Sequence, residues 1–432
     1  MGWVAEEEST PADLEAVAAR YGAGSASRMV AYLLYRRGWR ESEAVRSFLQ
    51  PTLAAGMRQP VRFGLDEIGE VLAGALVGRR RLAIAAGAAL DAGLAAVVLA
   101  EGLAGFDANI CWEAAAASGA DGVSLRLADP PAAPDGTRLV VADLADPRWR
   151  QELDGPSACL GLSGLAWYAL LATRQSLRAR GVSVSFDLRR LLDLVALGTA
   201  ARAVPLLNEN RVLVTAGLAR MNQAPRPLLA ALKDTLMHRT ITMRGLIGQI
   251  LPRLEGLARR GPSLLHALLS PCTPDEARGV VATMELARAA MTPVRIAGNP
   301  IEGQGSYDAD VSLADLTPRF VDGLAVLEPH GVGNPAPVFR ACAVRVEGVR
   351  LLGEPGTRLA KLRLRQDGRT VGALARGDAV DTVFPGGVVD VRFRVTVARW
   401  HGQVRTELEV IGLSPTDSSV QGADSKSEND SL

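Results

Sequence analysis

The periodicity of the apolar residues changes along the chain, and this change restricts the fold more than any other feature of the sequence. From residue 65 to about 206, short apolar runs alternate with helical patterns, which is typical of a mostly parallel sheet covered by helices. From Val338 to Gly412, strands of alternating apolar residues are interrupted by glycine-containing turns. Five such strands in about 75 residues predict a small β-barrel.

The individual elements follow from apolar spacing and from Pro and Gly boundaries. The N-terminal segment has predicted helices at 27–38 and 41–49. In the α/β part, strands are predicted at 82–86, 109–112, 122–125 and 139–142, and helices at 64–77, 94–105, 161–180 and 187–197. A helical region is predicted at 210–221, 227–235, 243–257, 262–269 and 273–290. The barrel strands are predicted at 341–352, 360–366, 370–376, 387–398 and 404–411, after a short helix at 318–327.

These patterns divide the chain into six segments. They are an N-terminal helical segment (1–60), an α/β domain (61–206), a helical region (207–290), a linker with a short helix (291–326), the barrel (327–413) and an acidic tail (414–432). The tail has almost no apolar residues, so we expect it to be disordered. The predicted fold class is α/β, with a helical connector and a C-terminal five-stranded β-barrel.

The composition argues against several classes of protein. No apolar stretch is long enough to span a bilayer, and the acidic N-terminus lacks the apolar core of a secretory signal. The four cysteines form no Cys-x-x-Cys pair, which argues against a zinc ribbon or a disulfide scaffold and favours the reducing cytoplasm. No Gly-x-x-x-x-Gly-Lys loop is present, so an ATPase is not indicated.

The barrel region is the basic part of the chain. Residues 339–413 hold 13 Lys and Arg against 8 Asp and Glu, whereas the whole chain has a net charge of only +1. At strand spacing, Lys361, Arg363 and Arg365 share one face, and Arg392 and Arg394 share another. A barrel with a basic face is a common platform for single-stranded nucleic acid. The alternative is a solvated outer face without a ligand, and charge alone leaves both open.

The segment that leads into the barrel is specific. It reads Leu327-Glu-Pro-His-Gly-Val-Gly-Asn-Pro-Ala-Pro-Val-Phe339 and resembles the entry to the oligonucleotide-binding (OB) domain of the RecJ family, single-strand-specific exonucleases of the DHH phosphoesterase superfamily. Only His330 departs from the family pattern, which has phenylalanine there. Further similar stretches follow the family's order, at 36–53, 191–214, 252–261, 361–377 and 397–413. The resemblance implies a DHH-type sheet followed by an OB-type barrel.

The turn after the first predicted strand lacks the acids that this resemblance implies. The family places metal-binding aspartates there, in the pattern Tyr-Gly-Asp-Tyr-Asp-x-Asp-Gly. The three acidic positions are Ala88, Leu90 and Ala92 in this chain. Asp91 falls at a non-ligand position, and we expect its side chain to point elsewhere.

Other metal positions of the family are also replaced. The family's Asp-His-His triplet reads Asp143, Leu144, Ala145, and a later aspartate is replaced by Arg202. Arg202 would put a fixed positive charge where two cations sit, and one hypothesis is that it pairs with Asp143 across the old pocket. No stretch resembles the family's second accessory domain, DHHA1. Because two-metal phosphoryl transfer needs several oxygen and imidazole ligands, we expect no bound metal, no other cofactor and no nuclease activity.

Two further features resemble sites by their residues alone. Tyr307-Asp-Ala-Asp310 resembles the metal turn, but it lies in the linker without a preceding strand, so we expect no metal site there. His266 lies within an apolar helical pattern and is predicted to be a packed residue rather than a ligand.

The leading hypothesis is a nuclease-dead RecJ-like protein that uses its OB domain to bind single-stranded DNA or a DNA repair or recombination partner, such as a complete RecJ. The residues expected to contact nucleic acid are Arg253, Arg259, Lys361, Arg363, Arg365, Arg392, Arg394 and Trp400. For Arg253 and Arg259 a surface ion pair is an equal alternative. Trp400, near a predicted barrel turn, is as readily a packing residue as a stacking one.

Two other functions stay open. One is a protein-interaction scaffold subunit without strong DNA binding. The other is an active manganese- or magnesium-dependent 5′–3′ exonuclease with a site rebuilt from Asp143, Asp91 and Glu209. The salt dependence of DNA binding separates the leading hypothesis from the scaffold, because phosphate binding weakens steeply with added salt.

Overall fold

The chain forms two structural units. The computed structural model describes residues 10–21, 24–57, 65–112, 123–127, 141–143, 160–237, 239–270, 273–289, 306–352, 358–381, 383–400 and 403–416. Only the backbone is described at 55, 123–127, 141–143, 287–289, 378, 381, 397–400 and 403–405. One unit comprises 1–49, 301–328 and 336–432, and the other comprises 50–300 and 329–335. The N-terminal helices therefore fall in the same unit as the barrel, a grouping that the sequence pattern does not predict.

Three helices open the first unit: α1 (Ala12–Ala18), α2 (Ser25–Arg36) and α3 (Ser42–Leu49). The Ser42 hydroxyl donates to Asp13 Oδ2 at 2.6 Å, which joins the start of α3 to α1. The second unit begins with α4 (Leu53–Gly56) and α5 (Asp66–Val77). The helices predicted in this region are present, with ends shifted by a few residues.

A parallel sheet lies at the centre of the second unit. Its elements are β1 (Leu82–Ala86), α6 (Leu90–Ala104), β2 (Ile110–Trp112), β3 (Val123–Leu127) and β4 (Val141–Asp143). The strand order is β2-β1-β3-β4, and every pairing is parallel. This arrangement confirms the predicted sheet. Parallel strands need crossover helices on the sheet faces, and α6 is buried along almost its whole length.

Helices complete the second unit. They are α7 (Leu162–Ala179), a 3₁₀ turn (Leu188–Leu191), α8 (Leu192–Arg202), α9 (Asn208–Gln223), α10 (Pro227–Thr235), α11 (Met243–Gly245), a π turn (Leu246–Ile250), α12 (Leu251–Ala258), α13 (Pro262–Leu269) and α14 (Pro274–Ala289). The helix predicted at 243–257 is interrupted by the π turn, because Pro252 has no backbone N–H for a regular helical bond.

The first unit ends in a closed barrel. Its elements are β5 (Ala309–Asp310), a 3₁₀ turn (Leu313–Asp315), α15 (Pro318–Leu324), a 3₁₀ turn (Ala325–Leu327), β6 (Phe339–Leu351), β7 (Leu359–Gln366), β8 (Arg369–Arg376), α16 (Asp378–Asp381), β9 (Val388–Trp400) and β10 (Gln403–Pro415). The strand order is β5-β6-β7-β8-β10-β9, and β6 also pairs with β9. The five long strands thus confirm the predicted barrel.

Three phenylalanines form the centre of the barrel core. The rings of Phe320 and Phe339 are 6.4 Å apart, and those of Phe339 and Phe393 are 6.2 Å apart. A bulge between Val346 and Gly348 bends β6, so that it can pair with both β7 and β9. The predicted disordered tail lies outside the described residues from 417 onward.

No helix in the described ranges has the length and hydropathy needed to cross a membrane.

The crossing of α8 and α9 depends on Gly217. A Cβ built on Gly217 would lie 2.2 Å from the Leu192 carbonyl oxygen and 2.5 Å from Ala196 Cβ. Gly217→Ala must push the helices apart, and we expect it to lower the free energy of unfolding by about 1–3 kcal/mol.

Gly256→Ala is the matched control, because nothing lies within 4 Å of a Cβ built on this helical glycine. We expect this variant to be neutral or more stable by up to about 1 kcal/mol. Urea unfolding of both variants measures the difference. Equal midpoints would contradict the close helix crossing.

Candidate functional site

The turn between β1 and α6 carries apolar side chains at the positions where the resemblance implies acids. Ala88 is exposed, Leu90 is half-buried and Ala92 is fully buried. Alkyl groups supply no ligand to a divalent cation, which requires oxygen or imidazole donors. The residues at these three positions therefore do not fit a metal pair.

An ion pair stands beside this turn. Arg202 Nη1 lies 3.0 Å from Asp91 Oδ2, and the Asp91 side chain is only 7% exposed. Asp91 is in the first turn of α6 and Arg202 in the last turn of α8, so each charge also complements the dipole of its own helix. The Asp91 carboxylate is therefore directed at Arg202, while the expectation that it points away from the metal positions of the family stays a prediction. The attraction of the Arg202 guanidinium orients the Asp91 carboxylate toward it.

Asp143 ends β4, where its backbone pairs with Arg126. Its side chain, and all of Leu144 and Ala145, lie outside the described residues, so the suggested Arg202–Asp143 pair stays untested. Glu209 is buried in the first turn of α9. Within the described part of the chain, no three His, Cys, Asp or Glu side chains lie together as a metal-binding group.

The segment that resembles the RecJ barrel entry forms a tight loop against the end of α8. The Leu206 amide donates to the Val332 carbonyl oxygen at 2.8 Å, and a Cβ on Gly331 would lie 2.7 Å from Leu206 Cδ1. The Asn334 side chain donates to the Pro329 carbonyl oxygen at 2.9 Å. The glycines and the asparagine of this motif therefore have packing roles.

A buried arginine supports the same loop. Arg211, which is 1% exposed, donates to the Pro329 carbonyl oxygen at 3.3 Å. Burial lowers the pKa of Arg211 to about 10, so its guanidinium is still charged at neutral pH.

The acids of Tyr307–Asp310 have structural partners. Asp310 forms a bidentate pair with Arg340 at 2.5 and 2.9 Å, and the Arg340 guanidinium lies 4.2 Å from the centre of the Tyr307 ring. Asp308 accepts a hydrogen bond from the Val338 amide at 2.8 Å. These contacts fix the start of the barrel, and the absence of a metal site here stays a prediction.

One face of β7 is basic and exposed, as the alternation predicts. Lys361, Arg363 and Arg365 are exposed, while Leu362 and Leu364 between them are buried. Arg363 and Arg365 share one carboxylate, that of Glu347, at 3.2 and 3.1 Å, and Lys361 lies 3.2 Å from Glu407. Such exposed ion pairs contribute little free energy. The three cations share only two carboxylates, so this face of β7 keeps a net positive charge.

The basic face extends onto β6. Arg345 lies opposite Arg365, and Arg350 lies opposite Lys361. Both arginines of β6 are exposed. They were not among the residues predicted to bind nucleic acid, because the register between β6 and β7 includes a bulge that no local pattern reveals. The barrel face is defined here as Arg345, Arg350, Lys361, Arg363 and Arg365.

An exposed aromatic residue lies in a turn whose backbone is bonded to β6. Phe384 is 64% exposed and belongs to a turn in which the Gly386 amide donates to the Val346 carbonyl oxygen at 2.7 Å. Val388, which follows this turn, lies opposite Arg345. Phe384 was not among the residues predicted to bind nucleic acid. The signal for it was a phenylalanine directly before Pro-Gly-Gly, which marks an apolar residue at an exposed turn.

The arginines of β9 are less accessible. Arg392 and Arg394 are half-buried. The Arg392 guanidinium lies over Gly412, where a Cβ would be 2.5 Å from Nη2, and Arg394 stands opposite Glu409. Trp400 ends β9, and its side chain lies outside the described residues.

The two arginines of the helical region have carboxylate partners. Arg253 binds Glu285 through both Nε and Nη2, and its side chain is only 6% exposed. Arg259 is 59% exposed and lies 3.5 Å from Glu255. Both arginines thus have a carboxylate partner, as the ion-pair interpretation expects. Arg253 is nearly buried in its pair, whereas Arg259 stays exposed, and contact of either with nucleic acid stays a prediction.

Comparisons with known proteins agree with the predicted resemblance. Residues 307–412 match the family model of the RecJ OB domain. The single-stranded-DNA-specific exonuclease RecJ of Dickeya dadantii is 42% identical over 86 residues, and that of Salmonella typhimurium is 39% identical over 110 residues. These stretches are 18% and 23% of this chain, but only 15% and 18% of the relatives' length.

The fold is similar beyond the OB domain. Crystal structures of RecJ from Thermus thermophilus in complex with Mg²⁺ and with Mn²⁺ match with TM-scores of 0.68 and 0.66, both at 19% identity. The match covers 95% of this chain in both cases, and 78% and 79% of those chains. The resemblance is therefore confirmed as an OB domain of the RecJ type within a RecJ-like fold.

The Asp91–Arg202 pair gives a test of how the turn between β1 and α6 is stabilised. Arg202→Met keeps an apolar stem of similar length and leaves the buried Asp91 without its cation. We expect the free energy of unfolding to fall by about 1–3 kcal/mol.

Arg278→Met is the control, because Arg278 pairs with Asp275 where both side chains are exposed, at 64% and 89%. Its effect should stay within about 0.5 kcal/mol. Thermal unfolding measures both. A cost for Arg202→Met no larger than for Arg278→Met would show that Asp91 does not depend on this cation.

Proposed function

We propose that this RecJ-like chain holds single-stranded DNA on the barrel face and does not cut it. The observation that carries the proposal is the set of five exposed cations on neighbouring strands of an OB domain. Each phosphate contact releases condensed counterions, which favours binding at low salt. The weak pairs with Glu347 and Glu407 open at little cost when a phosphate takes the place of the carboxylate.

Phe384 adds a second kind of contact. Its exposed ring offers a flat apolar surface on a turn that is hydrogen-bonded to Val346, the neighbour of Arg345 in β6. A base that stacks on an aromatic side chain gains about 1–3 kcal/mol without sequence preference. Phosphates on the arginines and a base on the ring are the two contacts that a single strand offers together.

The lack of cutting follows from the residues around the former metal position. Ala88, Leu90 and Ala92 supply no ligand, and Arg202 brings a positive charge that repels a cation. Without the metals, the attacking water keeps its high pKa and the phosphate charge is not neutralised. This arrangement supports binding without hydrolysis.

Salt-dependent binding tests the first part of the proposal. Fluorescence polarisation of a labelled single-stranded DNA should show affinity that falls steeply with added salt. Arg363→Gln combined with Arg365→Gln should weaken binding and reduce the salt slope by about 2, because two phosphate contacts are lost.

Two matched variants sharpen this experiment. Glu347→Gln removes the carboxylate that Arg363 and Arg365 share, so it should tighten binding. Arg278→Gln removes an exposed charge from α14 and should change little. Binding that is absent, or is insensitive to salt and to these charges, would favour the protein-interaction scaffold.

The second part is tested by fragment length. The same DNA, incubated with the chain and Mn²⁺ or Mg²⁺, should keep its full length on a denaturing gel. Shortening that requires the metal and disappears in Asp143→Ala would establish an active, rebuilt site and overturn the proposed loss of catalysis.

A further inference from the structure

A second polar site lies at the other end of α6 from Asp91. Glu101, in the last turn of α6, lines a cleft of about 470 Å³ together with Arg190, Arg220 and Arg226. This volume is within the range of small-molecule pockets. The apolar part of the lining is formed by Ala104, Gly105, Phe186, Ala224, Pro225 and Pro227.

Two of the three guanidinium groups converge on one backbone oxygen. Arg220 Nε donates to the Arg190 carbonyl oxygen at 2.9 Å, and Arg226 Nη2 lies 3.5 Å from the same atom. Two guanidinium groups that approach the same atom repel each other unless anions lie between or beside them. The arrangement of arginines in the cleft therefore needs negative charge nearby to be stable.

The carboxylates present are used mainly by Arg226. Glu101 accepts from Arg226 at 2.6 and 2.9 Å, and Asp193 accepts at 2.7 Å, so this guanidinium, 9% exposed, is fully paired. Arg220 reaches Asp193 only at 3.9 Å. Two acids thus serve three arginines.

Arg190 is the cation left over. Its guanidinium lies 5.6 Å from the centre of the Phe186 ring, and no carboxylate among the described residues is within ion-pair distance of it. His266 adds no positive charge at neutral pH, because burial lowers the pKa of its imidazole. Counted over the described residues, the cleft keeps a surplus of one positive charge beside an apolar wall.

We propose that this cleft binds a small phosphate monoester with an apolar body, of the size of a nucleoside 5′-monophosphate. The phosphate supplies the missing negative charge between Arg190 and Arg220, whose planar forks suit its oxygens. The remaining volume and the apolar wall receive the nucleoside. The proposal is independent of DNA binding by the barrel face, which belongs to the other structural unit.

Isothermal titration of the full chain with dTMP, thymidine and inorganic phosphate tests the ligand class. We expect dTMP to bind at least about tenfold more tightly than either thymidine or phosphate, since each lacks one of the two contacts. No binding of dTMP at millimolar concentrations would overturn the proposal. Equal binding of dTMP and phosphate would overturn its nucleoside part.

Variants test the residues. Arg190→Gln and Arg220→Gln should each weaken dTMP binding about tenfold, which is the loss of one charge-assisted contact. The dTMP-to-thymidine affinity ratio should fall with them, whereas a folding defect would lower both affinities together. Arg189→Gln is the matched control, because this neighbouring arginine is 73% exposed, pairs with Asp187 and does not line the cleft. Unchanged dTMP affinity in both cleft variants would overturn the assignment.

Discussion

The burial of α6 is the constraint on which the second unit depends. This helix packs against β1, α7 and α8, and its residues from Asp91 to Leu103 are almost all buried. A helix enclosed in this way cannot rotate or slide without moving its neighbours. Its polar ends are therefore fixed in place, with Asp91 and Glu101 about 15 Å apart along the axis. One end meets Arg202 and the other meets Arg226.

The sequence predicts well what depends on local signals. The strand at 82–86 and the helix at 227–235 are found at the predicted residues, because an apolar run and a proline at the first helical turn mark them. The alternation of exposed and buried side chains along β7 was also predictable, because successive side chains of a strand point to opposite faces. The resemblance to RecJ rested on a motif whose glycines and asparagine pack tightly, and such positions tolerate few other residues.

What the sequence does not predict are contacts between distant segments. Arg202 pairs with Asp91, which is 111 positions away, and Arg253 pairs with Glu285 on another helix. These partners depend on how helices pack, which the apolar pattern leaves open. Arg345 joins the barrel face only through the register of β6 and β7. The loss of nuclease activity is also a proposal, because it depends on the surroundings of Asp143, whose side chain lies outside the described residues.

Glu347, which pairs with two arginines of the barrel face, determines how the charge of this face depends on pH. Hydrogen bonding from Arg365 lowers the pKa of Glu347, so this carboxylate stays charged across the physiological pH range. The charge of the face near Arg363 and Arg365 is therefore constant with pH. Ionic strength and the ligand itself are the variables that act on it.

The Asp91–Arg202 pair limits how a metal site could arise at this turn by single substitutions. Replacing Arg202 by an aspartate alone would leave two carboxylates close together, one of them buried, with no cation between them. Introducing aspartates at Ala88, Leu90 or Ala92 first would place new carboxylates beside a guanidinium that competes with a metal ion for them. Each single substitution toward a metal site is thus penalised until the whole set of ligands is present.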